Sequence, residues 1–153
     1  MMVTIKACPL ADIIGDPEFA ALHREYAGEC AIAGLPPPDE KLAAYGAIAQ
    51  SGVFTAYGAF IEGRLIGFMA VLTPVIPHYG IAIAIAESLF VGAAFRSSRA
   101  GLALIRAAER HAQDAGSPGL LLSAPSGGRL ARLLPLIGYR ETNRAFFKEV
   151  PHG

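Results

Sequence analysis

Residues 87–102 decide the fold, because an apolar alternating run passes there into a helical pattern. They read Glu87-Ser88-Leu89-Phe90-Val91-Gly92-Ala93-Ala94-Phe95-Arg96-Ser97-Ser98-Arg99-Ala100-Gly101-Leu102. The run begins at Ile81 and is apolar on both faces, which predicts a central strand covered on both sides. After the small residues that follow Gly92, apolar side chains recur at helical spacing from about Ser98 to Ala115. The stretch therefore predicts a buried strand, a short turn and the start of a long helix.

Glu87 is the polar residue that interrupts this strand. Strict alternation places it on one face with Ile81, Ile83, Ile85, Leu89 and Val91. A carboxylate is costly to bury, so we expect the pKa of Glu87 to rise. Such a group suits a general base that takes a proton from an ammonium substrate, directly or through water. A structural carboxylate paired with an arginine or with backbone amides explains the residue equally well.

The rest of the chain surrounds this unit with further strands and helices. In chain order we expect strand 3–7, a helix from Asp16 to about Cys30, helix 38–49, strands 53–61, 65–72 and 81–91, helix 98–115, strand 119–123, helix 128–134 with Ser126 as a candidate cap, and strand 142–150. The order opens with antiparallel hairpins and ends with crossover connections. It predicts one α/β domain over residues 1–153, with a mixed sheet and helices on both faces.

Composition and charge exclude several classes of function. The formal net charge is zero, which argues against a nucleic-acid binder. No run of about 20 apolar residues is unbroken and no signal peptide is evident, so we expect a cytoplasmic protein without a membrane span. Cys8 and Cys30 lack metal-ligand spacing and no HExxH occurs, so we expect no metal. The two cysteines leave a disulfide open.

The charges divide unevenly along the chain. Residues 1–95 carry 4 basic and 9 acidic side chains, whereas residues 96–153 carry 9 basic and 4 acidic ones. Two solvated faces would explain this division. An anion site in the second half and a slot for a cationic substrate in the first half would explain it as well.

The turn after Val91 has the chemistry of a pyrophosphate site. A helix begins with amide hydrogens that lack partners and with partial positive charge, and small residues let a phosphate come close. Arg96 and Arg99 add fixed charge and paired donors. The sequence is neither GxxxxGK[ST] nor GxGxxG. An ordinary helix start with two solvated arginines is the alternative.

Three segments resemble the GCN5-related N-acetyltransferase family. Arg96-Ser97-Ser98-Arg99-Ala100-Gly101 is similar to its pattern Arg/Gln-x-x-Gly-x-Gly/Ala, with Arg99 in place of the middle glycine. The hairpin Phe60–Phe68 looks like the second and third strands of the family. The run Leu133–Tyr139 looks like its helix-to-strand segment, which ends in Leu/Ile-Gly-Phe/Tyr. The resemblance covers about residues 53–150 and implies the fold of an acyl-CoA acyltransferase.

This resemblance implies an acetyl-CoA-dependent transfer of an acetyl group to an amine of a small molecule or protein. The backbone of Leu89, Phe90 and Val91 would hold the pantetheine arm. The amides of Ser97, Ser98, Arg99, Ala100, Gly101 and Leu102 would hold the pyrophosphate, and Ser126 would bond the cofactor. Glu87 would be the base. Leu134 stands where many members carry the tyrosine that protonates the departing thiolate, whereas Tyr139 is expected to pack as the family's aromatic residue.

Other interpretations remain beside this one. The absence of that tyrosine and the replaced glycine favour a non-catalytic module that binds acyl-CoA. A third interpretation is an interaction protein, or a homodimer, that uses the edge of the sheet. His78 and Tyr79 lie in a loop where they could line an acceptor site, although a loop histidine is usually solvated.

Overall fold

The computed structural model describes residues 2–37 and 50–152, and the predicted helix over 38–49 lies outside them. The strands are β1 Val3–Cys8, β2 Phe54–Ile61, β3 Arg64–Leu72, β4 Val75–Ile76, β5 Ile81–Ala82, β6 Ala84–Val91 and β7 Leu120–Leu122. The α-helices are α1 Leu10–Ile14, α2 Phe19–Glu29, α3 Ala100–Asp114 and α4 Arg129–Leu133. Two 3-10 turns span Ala93–Ser98 and Leu134–Ile137. None of the helices in these ranges is long and apolar enough to cross a membrane.

Five strands form one mixed sheet in the order β1-β2-β3-β6-β7. Neighbours pair antiparallel except for β6 and β7, which are parallel and joined through α3. β4 and β5 form a separate two-stranded ribbon. The mixed sheet confirms the predicted fold class, and the hairpin of β2 and β3 lies where the alternation placed it.

Two apolar layers cover the sheet. On one face α3 supplies the buried residues Ala100, Leu104 and Ala108, which pack on strands β2, β3 and β6. On the other face α1 and α2 supply Ile13, Phe19 and Leu22, which pack with Phe68 and Phe90. Asp16 helps α2 to begin, since its carboxylate accepts the Glu18 amide hydrogen at 2.9 Å.

A β-bulge in β6 overturns the predicted assignment of its faces. Ala70 pairs with Ser88 but Val71 pairs with Ala86, so Glu87 is an extra residue opposite β3. Ala84 and Ala86 before the bulge share the α3 face with Leu89 and Val91 after it. Glu87 is also exposed. Its expected burial within an apolar face is therefore wrong.

The last predicted strand and one predicted cap are also wrong. Residues 142–150 form no strand and are exposed. Helix α4 begins after Gly128 with no side-chain cap bond, so Ser126 does not cap it. Cys8 and Cys30 are free thiols.

Candidate cofactor and acceptor site

The parallel pair of β6 and β7 separates soon after it forms. Their register covers only Ala84 to Ala86 against Leu120 to Leu122. β6 then continues to Val91, paired with β3 on one side only. Backbone groups of successive strand residues point alternately to the two sides, so every second residue after the bulge presents its N–H and C=O to the open side. The predicted residues Leu89, Phe90 and Val91 lie along this open edge.

Close contact between β3 and β6 fixes the position of the open edge. Gly67 pairs with Val91, and a Cβ atom added to Gly67 would lie 2.7 Å from the carbonyl oxygen of Phe90. Any side chain at this position would push the two backbones apart. Gly67 therefore allows the end of β6 to lie close against β3.

The turn after β6 carries the chain into α3 through a left-handed residue. Residues Ala93–Ser98 form a 3-10 turn, and Arg99 has φ +66° and ψ +14°. This is the conformation that favours glycine, and it occurs where the sequence pattern of the family expects one. The Ala100 amide donates to the Ser98 hydroxyl at 3.3 Å. The amides of Gly101 and Leu102 remain as the donors of the first helical turn.

Arg96 is held by groups of the protein. Its Nη2 lies 2.6 Å from Glu29 Oε1, and its Nε donates to the Val91 carbonyl oxygen at 3.2 Å. The guanidinium also lies over the Phe90 ring, 5.4 Å from the centroid. Beside it, Glu25 Oε2 accepts the Ala93 amide hydrogen at 2.9 Å. Arg96 thus links the turn to α2 through Nη2 and to β6 through Nε.

Arg99 is exposed and lines a basic surface cavity. This cavity of about 250 Å³ lies between α3 and the edge strand β1. Its lining includes Ser98, Arg99, Arg106 and Arg110. Among the residues that the structure describes, these three arginines form no ion pair. Three of the nine basic residues in the second half of the chain thus lie together at the start and along one side of α3.

On the opposite face of the sheet, the bulge borders a small aromatic cavity. Ser88 follows Glu87 and receives a hydrogen bond from the Tyr26 hydroxyl at 3.3 Å. A cavity of about 30 Å³ lies here, lined by Phe19, His23, Tyr26, Phe68 and Ser88 among others. Burial is the main cause that raises the pKa of Tyr26 above its usual range. The cavity is largely apolar and has a hydroxyl pair at its border with β6.

Neither Leu134 nor Tyr139 supplies an unengaged phenol. Leu134 is buried at the start of the second 3-10 turn. Tyr139 donates its hydroxyl hydrogen to Glu109 Oε1 at 2.8 Å. Burial, followed by the Glu109 carboxylate, raises the pKa of Tyr139 far above 10. Tyr139 is thus bound to α3 through its hydroxyl group.

The remaining candidate residues lie in loops and in the turn after β6. Ser126 lies in an exposed loop after β7, at the edge of the sheet where parallel strands β6 and β7 both end. Ser97 is exposed in the turn. His78 and Tyr79 stack edge to face with ring centroids 4.7 Å apart, in the loop between β4 and β5. Within residues 2–37 and 50–152, no His, Cys, Asp or Glu cluster could hold a metal ion.

Sequence reasoning did not anticipate the roles of three α2 residues, Glu25, Tyr26 and Glu29. Each contacts β6 or the turn after it. Glu25 and Glu29 are separated by four residues and therefore share one face of a helix. Two carboxylates on one helix face could have indicated that α2 would lie against an arginine of the second half of the chain.

Comparison with known proteins shows which known fold the chain shares. No family model matches the chain, and no curated protein matches it in sequence. Solved structures do match. The ribosomal-protein-alanine N-acetyltransferase of Brucella melitensis biovar Abortus 2308 is 22% identical, with TM-score 0.74 over 98% of this chain and 100% of that one. The chain has the fold of the GCN5-related N-acetyltransferases.

Two further structures with this fold show its range. The aminoglycoside acetyltransferase AAC(6')-Iy, solved with a bisubstrate analogue of CoA and acetylneamine, is 19% identical, with TM-score 0.74 over 99% of this chain and 100% of that one. A transcriptional regulator of Bacillus halodurans is also 19% identical, with TM-score 0.74 over 97% of this chain and 100% of that one. The GCN5-related fold is therefore shared with proteins described in different terms, and function has to be argued from the site.

Proposed function

We propose that the protein is an acetyl-CoA-dependent N-acetyltransferase that moves an acetyl group directly to an amine. The observation that carries this proposal is the open edge of β6 at residues 87–91, which is followed by one short turn and the start of α3. An extended ligand with amide groups can add to such an edge as a strand does. A pyrophosphate at its end would then meet the helix start.

The residues present fit such a cofactor in shape and charge. The pantetheine arm would lie along Leu89, Phe90 and Val91, with Leu89 presenting its backbone groups to the open side, where the Val91 carbonyl oxygen accepts from Arg96. The pyrophosphate would accept from the amides of Gly101 and Leu102, and Arg99 would supply charge beside them. Ser97, Ser98 and Ser126 would offer hydroxyl groups at the same edge of the sheet. Bound acetyl-CoA would supply the acetyl thioester.

Glu87 is the residue we assign to proton removal. Its carboxylate is exposed at the bulge, beside the open edge and next to the Ser88–Tyr26 pair. There it would take a proton from the ammonium group of the acceptor, directly or through water, and the free amine would attack the thioester carbonyl. The acceptor would enter from the α1 and α2 side, where the acidic half of the chain suits a cation.

Calorimetric titration with acetyl-CoA tests the proposal first, and dephospho-CoA serves as the comparison. We expect saturable binding with a Kd on the order of micromolar. A folded sample that gives no heat of binding would overturn the assignment. Where binding is found, thiol release in the presence of primary amines tests the transfer itself.

A non-catalytic acyl-CoA-binding module is the second candidate. Leu134 is buried where the resemblance places a tyrosine, and the Tyr139 hydroxyl is engaged by Glu109. No phenol is thus offered to a departing thiolate by these two residues. Tight acetyl-CoA binding without thiol release across a panel of amines and peptide N-termini would favour this candidate over an enzyme.

A further inference from the structure

The basic cavity between α3 and β1 lies away from the open edge of β6. In the sheet, β2 and β3 separate β1 from β6, which places the two strands about 14 Å apart. Val3 and Ile5 line the cavity from β1, and Arg99, Arg106 and Arg110 line it from the start and one side of α3. We call this cavity the arginine groove. Most of it is therefore remote from the edge that would hold a pantetheine arm.

Two arginines of the groove lack a counterion. Arg106 and Arg110 are exposed and, within the described ranges, form no ion pair. They stand four residues apart on α3, and like charges at this spacing destabilise a helix. The acidic residues of the same helix do not balance them, because Glu109 accepts from Tyr139 and Asp114 forms no ion pair within residues 2–37 and 50–152. An anion in the groove would remove this repulsion.

The strand on the other side of the groove has an open edge. β1 pairs with β2 only, and its outer edge has no strand partner in the part of the chain that the structure describes. Val3 and Ile5 are half-buried against the core under α3, whereas Thr4 and Lys6 are exposed. Every second residue of such a strand presents its N–H and C=O groups outward. An extended peptide can add to this edge through main-chain hydrogen bonds.

The direction and spacing of α3 suit a strand added to β1. α3 returns from the end of β6 to the start of β7, so it runs antiparallel to β6 and in the direction of β1. Side chains on one face of a strand are about 6.6 Å apart, and four residues of a helix rise about 6 Å. Side chains at every second position of the added strand would therefore match Arg106 and Arg110. Carboxylates are the groups that arginine binds through paired hydrogen bonds.

We propose that the arginine groove and the outer edge of β1 bind an extended acidic segment of a partner protein, with carboxylates at every second position. The backbone of the segment pairs with β1, and its carboxylates bind Arg106 and Arg110. Nucleic acid fits this site less well, because a phosphate cannot donate hydrogen bonds to the outward carbonyl groups of β1. The formal net charge of zero also disfavours it. This inference is independent of the proposed function.

Fluorescence anisotropy tests the proposal with a short labelled peptide that has glutamate at every second position and threonine between. Its amino terminus is acylated, so it offers no amine acceptor. Arg106→Gln with Arg110→Gln should weaken saturable binding about tenfold or more, because glutamine keeps the helix but lacks the charge. Arg129→Gln with Arg140→Gln, at two exposed arginines outside the groove, is the matched control. No binding to folded wild-type protein, or equal affinity of the two double variants, would overturn the proposal.

Backbone methylation of the peptide tests its pairing with β1. One peptide carries N-methyl groups on every glutamate and a second carries them on every threonine. Because successive N–H groups of a strand point to opposite sides, one of the two should lose binding and the other should keep it. Equal binding or equal loss would reject strand pairing. A single-stranded DNA of the same charge that binds more tightly than the unmethylated peptide would show that the groove takes nucleic acid instead.

Discussion

Arg96 in the turn after β6 and Glu29 at the end of α2 form an ion pair with an N–O distance of 2.6 Å. The Arg96 side chain is 22% exposed, whereas that of Glu29 is 52% exposed. The pair joins a helix of the acidic half to the turn that opens the arginine-rich half. The two arginines expected at the cofactor site thus have different surroundings, because Arg96 is paired with Glu29 whereas Arg99 faces an open cavity.

Arg96→Ala should lower the free energy of unfolding by roughly 1–2 kcal/mol, because it removes the ion pair, the bond to Val91 and the contact with Phe90. Urea unfolding measures this change. A double-mutant cycle with Glu29→Ala should show coupling between the two residues. Additive effects would mean that the ion pair contributes nothing.

Arg99→Ala should weaken acetyl-CoA binding about tenfold, or about 1.4 kcal/mol, with little change in stability. The reason is that Arg99 is exposed at the helix start and has no ion pair among the described residues. Calorimetry measures the affinity, and Lys6→Ala on β1 is the control for the loss of one positive charge. Unchanged affinity in the Arg99 variant would place the phosphate site elsewhere.

Replacement by glycine should have different effects at Arg99, which precedes α3, and at Arg106 within it. Arg99→Gly relieves a left-handed conformation that costs a residue with Cβ roughly 1 kcal/mol, so stability should hold or rise. Arg106→Gly lies within the helix and should cost about 1 kcal/mol. Thermal unfolding compares the two. Equal losses in both variants would show that Arg99 is not strained.

Glu87→Gln should reduce turnover by about 10²–10⁴-fold while leaving acetyl-CoA affinity unchanged. The side chain is exposed, so the isosteric change should not disturb folding. Thiol release measures turnover, and Glu62→Gln in the β2–β3 turn is the control. Full activity of the Glu87 variant would exclude the direct-base role and leave a water relay to be assigned to other groups.

Stability should fall from about pH 10 upward, where tyrosines of the unfolded chain lose their protons. Tyr139 has a raised pKa in the folded protein, so the folded chain keeps a proton that the unfolded chain releases. Urea unfolding at pH 8 and at pH 10.5 measures the fall, which should be smaller in Tyr139→Phe. Tyr79→Phe is the control, since that ring is 61% exposed. An identical pH dependence in all three proteins would contradict the assignment.

The hairpin and the long helix could be predicted because the apolar residues of each element recur at the spacing of a strand or of a helix. The alternation of β2 and β3, the short turn between them and the apolar stripe of α3 depend on neighbouring residues alone. The mixed sheet then followed from the order of elements. These are the features that the structure confirms.

The bulge and the last strand could not be predicted in the same way. A bulge at Glu87 leaves the composition of β6 unchanged and depends on how β3 pairs with it. Residues 142–150 have strand composition, but a strand exists only where an edge accepts it. Contacts between α2 and the turn likewise depend on distant partners, such as Glu25 and Ala93. Whether the predicted site residues bind cofactor stays a prediction that the experiments above decide.

The bulge finally sets what changes of length β6 can tolerate. Deleting Glu87 would remove the bulge and place Ser88 directly after Ala86, so Leu89 and Val91 would still face α3 and Phe90 would still face α2. The layers of the sheet therefore do not require a residue at this position, and the bulge adds a carboxylate without moving any other side chain of β6 to the opposite face. A sequence pattern for relatives of this chain should allow one unpaired residue between Ala86 and Ser88.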